Sequence, residues 1–243
     1  MKENMQNVRL AIIAALDREI QPLVRGWQRT DAGYRQDDTL VVAGGIGYEA
    51  ARRAAQAVVK DFRPQMLVSA GFAGALIGTL KVGNVFLPNV IIDGRNGMEY
   101  RCNFGEGILG GGILVSAAQI AGSASAGCES KKELAEKFHA LAVDMEAAGV
   151  AEVAREEGIG FRCVKAISDE ADFPMPPMNR FISPEGGFNV SGFAAWAIVR
   201  PAVWSPVIAL ARNSNRASRA LCAWLEERSA DGIQPAQVVR VAG

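Results

Sequence analysis

Two short acidic signatures lie about twenty residues apart in this chain. They are Val143-Asp144-Met145-Glu146-Ala147-Ala148 and Lys165-Ala166-Ile167-Ser168-Asp169-Glu170-Ala171-Asp172. Each falls where an apolar run meets a polar one, and the helix-forming stretch Gly149 to Glu157 lies between them. Carboxylates at such junctions serve chemistry or solvation rather than packing. Two carboxylates brought together in a cleft can divide one reaction: one protonates a leaving group while the other activates a water. That is how a glycosidic or N-ribosidic bond is broken.

The elements that must position these groups alternate between strand and helix. Apolar runs predict strands at Asn7 to Ala14, Leu40 to Gly44, Met66 to Ala70, Asn84 to Ile92, Gly112 to Ser116 and Phe161 to Ile167. Pro88 inside the fourth run marks an edge or a bulge. Helices are expected at Glu49 to Phe62, Lys131 to Phe138, Met145 to Glu157 and Asn213 to Glu227. Strand, glycine turn, helix, strand is the rhythm of a single α/β domain, 1–243, with a largely parallel central sheet. Ligands of such sheets bind beyond the carboxyl ends of the strands. Glu19 follows the first strand, Gly44-Gly45-Ile46-Gly47 the second, Gly71-Phe72-Ala73-Gly74-Ala75 the third and Ser168-Asp169 the sixth, so one crevice can gather them.

Composition narrows the function. The 243 residues hold 26 Lys plus Arg and 26 Asp plus Glu, so there is no basic excess for nucleic acid. One histidine, His139, and four cysteines without CxxC spacing give no metal site. Those cysteines read as reduced thiols of a cytoplasmic protein. Met1 to Asn7 lacks the apolar core of a signal peptide. Phe193 to Leu210 is strongly apolar, but Arg200, Pro201 and Pro206 interrupt it. It reads as two short helices separated by a turn, not as a membrane span. The Pro-, Phe- and Met-rich stretch Ala171 to Asn189 is a candidate lid or substrate wall.

Several pieces, in order, resemble the nucleoside phosphorylase and nucleosidase superfamily, especially the methylthioadenosine/S-adenosylhomocysteine nucleosidases. They are Ala11-Ile12-Ile13-Ala14-Ala15-Leu16-Asp17-Arg18-Glu19, Gly45-Ile46-Gly47, Gly71-Phe72-Ala73-Gly74-Ala75-Leu76, Lys81-Val82-Gly83-Asn84, Val143-Asp144-Met145-Glu146-Ala147 and Ala166-Ile167-Ser168-Asp169. The Pro-Met-Pro-Pro loop at 174–177, Val199-Arg200-Pro201 and the Ala-rich closing helix are more loosely similar to hopanoid-associated members, which remove adenine from adenosylhopane. The resemblance implies a three-layer fold with a mixed, largely parallel sheet, an adenine nucleoside as substrate, no cofactor and a homodimer. It implies Asp169 as the acid that protonates the departing adenine, Ser168 as its orienting partner and Glu19 as the holder of the attacking water. Glu146 and Met145 would hold the ribose, and Gly47, Ala73, Gly74 and Ile120 would complete the substrate site.

Other readings stand beside these. Asp169 can be a helix N-cap, and Glu19 and Glu146 can be solvated acids at helix starts. The Gly44–Gly47 turn can cradle a phosphate or simply be tight. His139 reads as a helix residue without a catalytic part. The sequence also departs from the family. Leu67-Val68-Ser69-Ala70 carries no arginine for phosphate, which favours water, although Lys165 or Arg18 can supply charge. Lys165 replaces an arginine, Phe72 a small polar residue, and Ala118 and Ile120 an acid and a stacking phenylalanine. Phosphorolysis and non-catalytic nucleoside binding therefore remain as alternatives. The Trp196 to Trp204 segment can line an apolar 5′ tail, touch a membrane surface or form a subunit interface.

Overall fold

The computed structural model describes residues 8–103, 111–122 and 128–230. Met1 to Asn7, and part of the glycine-rich stretch between Gly94 and Gly112, lie outside the described residues. In chain order the strands are β1 (Leu10–Ala14), β2 (Gln28–Thr30), β3 (Gly33–Gln36), β4 (Thr39–Ala43), β5 (Met66–Ala75), β6 (Val85–Phe86), β7 (Val90–Asp93), β8 (Glu99–Arg101), β9 (Ile113–Ser116), β10 (Ala142–Asp144) and β11 (Gly160–Asp169). The helices are α1 (Asp17–Ile20), α2 (Tyr48–Phe62), α3 (Lys131–Phe138), α4 (Ala147–Glu156), α5 (Val190–Ile198) and α6 (Trp204–Ala230).

The strands join one mixed sheet in the order β2-β3-β4-β1-β5-β10-β9-β7-β8, with β11 and β6 attached at β5. β1, β4, β5 and β11 run parallel, as do β7, β9 and β10. β5 is the hub. β11 pairs with it from Met66 to Gly74, while β1 and then β10 share its other edge. Alternation along the strands makes three layers. Ala11, Ile13, Leu67 and Cys163 pack toward α2 and α4, whereas Ile12, Val68, Val164 and Ala166 pack toward α6. This is the expected three-layer α/β arrangement.

Four expectations need correction. The glycine run 71–75 is not a turn but the second half of β5. The strand expected at Asn84 to Ile92 is broken around Pro88 into β6 and β7, because proline cannot supply a ladder N–H. The helix expected from Met145 begins at Ala147, which leaves Met145 and Glu146 outside it. The second short apolar helix and the closing helix are one element, α6, of 27 residues. Pro206 does not break α6, because it lies in the first turn, where the lost N–H has no helical partner. α5 and α6 meet at a bend of 118°. Among the described residues no single helix is long and apolar enough to cross a membrane.

Candidate active site

Asp169 ends β11, and no helix follows it, so it is not an N-cap. A register shift between Ile167 and Asp169 lets its side chain turn into a cavity of about 150 Å³. Ser168 Oγ donates to Asp169 Oδ1 at 2.7 Å. The ammonium of Lys131 contacts Asp169 Oδ2 and also donates to the Glu170 carbonyl. Both side chains of this ion pair are nearly inaccessible, at 5% and 6%. Gly74 makes room for it: a Cβ there would stand 2.8 Å from Asp169 Oδ2.

Glu19 enters from α1. It is a helix-start acid, as one reading had it, but it is buried rather than solvated. The Ala15 and Leu16 N–H groups donate to its Oε2 at 3.1 and 3.4 Å. Gly71 supplies the space, since a Cβ there would lie 2.7 Å from Oε2. The two glycines inside β5 thus serve the two carboxylates on either side of it. Burial raises the Glu19 carboxyl above its ordinary value, with Lys165 pulling the other way. Behind it, Ser218 of α6 donates to the Glu19 backbone carbonyl at 3.1 Å, which ties the closing helix to the site.

Glu146 stands at the N-cap of α4 yet does not cap it. That work is done by Asp144, whose Oδ2 accepts from the Ala147 N–H at 2.8 Å, and by Ser116 Oγ, which accepts from the Ala148 N–H at 3.0 Å. Glu146 is left facing the cavity, where it accepts from the Gly47 N–H at 2.8 Å and the Met145 N–H at 3.2 Å. Burial, with Asp144 adding its charge, pushes its carboxyl up to about 7. Lys165, only 1% exposed, pairs with Asp144 at 2.8 Å and is held above its ordinary value by that carboxylate against the cost of burial.

Of the residues expected to bind substrate, Glu146, Met145, Ala73, Gly74 and Ile120 line the cavity with Glu19, Ser168 and Asp169. Gly47 does not; it reaches the cavity only through its bond to Glu146. The Gly44–Gly47 turn is tight, with φ of +100° at Gly45 and +94° at Gly47. Its N–H groups donate to Ala14, Ala15, Gly186 and Glu146, which leaves none for a phosphate. Ile120 donates its N–H to Asn179 Oδ1 at 2.9 Å. Met175, Met178 and Phe188 bring the 171–189 stretch in as a wall, beside Phe72 and Leu210. His139 caps the C-terminus of α3 with φ +50° and stays away from the cavity.

Sequence reasoning missed Asp144 and Lys131 as site residues. Asp144 shares the acidic signature with Glu146, and nothing in its spacing distinguishes the two. Lys131 carried one signal: a cation at the first helical position opposes the helix dipole and needs a partner. Lys165, which the sequence offers as a source of charge for phosphate, instead commits its ammonium to Asp144.

The sheet and the cavity at its strand ends define an α/β protein whose cavity lies at the carboxyl edge of the sheet, where such folds place their ligands. The chain belongs to the phosphorylase superfamily, whose family model matches residues 9–108 and 108–181. Among curated relatives, the 5′-methylthioadenosine/S-adenosylhomocysteine nucleosidase of Buchnera aphidicola subsp. Baizongia pistaciae is 25% identical over 206 residues, covering 70% of this chain and 82% of its own. The enzyme of the same name from Staphylococcus epidermidis is 24% identical, covering 56% of this chain and 70% of its own. Among solved structures, Arabidopsis thaliana 5′-methylthioadenosine nucleosidase matches with TM-score 0.68 at 16% identity, covering 94% of this chain and 97% of its own. Helicobacter pylori futalosine hydrolase matches with TM-score 0.62 at 18% identity, covering 92% and 99%. These two structures share the fold.

Proposed function

We propose that this protein hydrolyses the N-glycosidic bond of an adenine nucleoside and releases adenine. The observation that carries the reading is the meeting of Glu19, Glu146 and Asp169 on one cavity, although 150 positions separate the first from the last. Asp169, oriented by Ser168, delivers a proton to the departing base. Glu19, fixed by two backbone N–H groups, holds the attacking water. Glu146 and Met145 hold the ribose, and the carboxylates stabilise the oxocarbenium-like charge that develops on it. The names of the curated relatives support adenine as the base, and the hydrolase among the structural neighbours supports water as the nucleophile. The committed N–H groups of the 44–47 turn and the Lys165–Asp144 pair favour water over phosphate in the same way.

The 5′ substituent in this proposal is large and apolar, such as a hopanoid tail. Phe188 and Leu210 line the cavity, and the α5–α6 corner beyond them exposes Val190, Ile198, Val199, Trp204 and Ile208. Between Glu185 and Glu226 the charged residues are all arginines: Arg200, Arg212, Arg216 and Arg219. An apolar face on a segment whose charges are all positive suits peripheral contact with an anionic membrane surface. By family likeness, the working form we propose is a cytoplasmic homodimer.

The test is adenine release from methylthioadenosine, S-adenosylhomocysteine, adenosine and adenosylhopane, each with and without inorganic phosphate. Release without phosphate, fastest with the apolar 5′ group, is expected. Release only with phosphate would make the protein a phosphorylase. Tight binding of all four without release would make it a nucleoside-binding protein.

A further inference from the structure

We propose that the proton given to the departing base is stored on Lys131, with Asp169 the carboxylate that passes it on. The inference rests on the hydrolytic reading above and adds a residue to it. Both Asp169 oxygens accept hydrogen bonds, one from Ser168 and one from the Lys131 ammonium. In this arrangement the lysine is the donor and the carboxyl group the acceptor. An acid must start with a proton, and the cation that donates one to Asp169 is the Lys131 ammonium.

The placement of Lys131 is otherwise hard to explain. It is the first residue of α3, where a cation opposes the helix dipole, and it is buried, which a lysine avoids unless paired. A capping box between Ser130 and Glu133 fixes that helix end without help from Lys131. Its chain passes Gly122 and Gly74, and a Cβ on either would lie within 3.6 Å of it. The next residue, Lys132, has the same side chain and stands 84% exposed in solvent, against 5% for Lys131. Lys131 stands on the wall of the cavity with its ammonium on Asp169, in line to hand a proton along when substrate arrives.

The proton balance closes with groups already present. As the bond between C1′ and the base nitrogen breaks, its electron pair goes to the base. One proton moves from Lys131 Nζ through Asp169 to a ring nitrogen of the base, leaving Lys131 as a neutral amine. The water oxygen bonds to C1′ and its proton goes to Glu19. After the products leave, Glu19 releases that proton to solvent and Lys131 takes one back.

Two variants separate this role from a structural one. Lys131→Gln keeps a donor toward Asp169 without charge. Lys131→Arg keeps the charge, but a guanidinium gives up no proton at working pH. On whichever adenine nucleoside the wild type cleaves, each variant should lose about 10²- to 10⁴-fold in kcat, with KM within a few-fold of wild type and an unchanged circular dichroism spectrum. If Lys131→Gln fails to fold, Lys131→Arg decides. Activity of either folded variant within a few-fold of wild type would overturn the proposal, as would a loss confined to KM. A wild type that cleaves no adenine nucleoside would overturn the hydrolytic reading instead.

Discussion

Two buried lysine–aspartate pairs flank the same cavity and differ in what surrounds them. Lys165 projects from the middle of β11, opposite Gly71 of β5 and Phe86 of β6, and its partner Asp144 ends β10. Asp144 is also occupied by Ser116 Oγ at 2.6 Å and by the Ala147 N–H. Both ends of this pair sit in the sheet, and the lysine lies among Asp144, Glu146 and Glu19, whose charges need it. Lys131 instead reaches in from a helix, and its partner Asp169 is bonded only to it and to a hydroxyl in the described hydrogen bonds. In the roles we propose, the same ion pair is a support where strands hold both partners, and an acid where one partner lines the cavity from outside the sheet.

The largest expected break in that comparison is Lys165→Met. It strands Asp144 in the core without its counter-charge, which costs about 3–5 kcal/mol. Denaturant unfolding should show the loss, and Lys131→Arg, which keeps a cation beside Asp169, should be nearer wild type in the same assay. Gly74→Ala acts on the other pair. A methyl group 2.8 Å from Asp169 Oδ2 must displace it, and a misplacement of about 1 Å costs roughly 10²-fold in kcat, measured by base release.

A smaller effect sharpens the contrast through pH. The Glu146 carboxyl sits at about 7 when folded against an ordinary value of 4.5. Its proton is bound more tightly in the folded state, so the contribution favours folding below pH 4.5 and is lost as pH rises through about 7. Tm should fall across that window, with Glu19 acting in the same direction. Glu146→Gln should flatten part of the fall, and an unchanged slope would remove Glu146 as its source. The smallest effect lies farthest from both pairs. Val190→Asp and Val199→Asp, both at well-exposed positions, should alter stability by no more than about 0.5 kcal/mol. They should weaken sedimentation with anionic phosphatidylglycerol vesicles while leaving cleavage of a short-tailed nucleoside intact.

What the sequence revealed follows the same division. Apolar runs marked β1, β4, β11 and the hub strand, and periodic helices marked α2 and α3, because burial writes itself into residue type. Glu19, Glu146 and Asp169 were legible from motif order. The hairpin of β2 and β3 was not, since its residues are polar and half-exposed. The second half of β5 was read as a turn because glycine usually marks one; here glycine is present to admit carboxylates from elsewhere in the chain. Lys131 was hidden most completely. In Lys131-Lys132-Glu133-Leu134 the two lysines look alike, and only the position of Asp169, 38 residues away, distinguishes them.

The most direct measurement is adenine release by wild type and Asp169→Asn, without phosphate, on the best nucleoside substrate. The account predicts steady release by the wild type and a loss of at least about 10²-fold in the variant, with its fold intact by circular dichroism. A folded Asp169→Asn protein that releases adenine at a near-normal rate would contradict it.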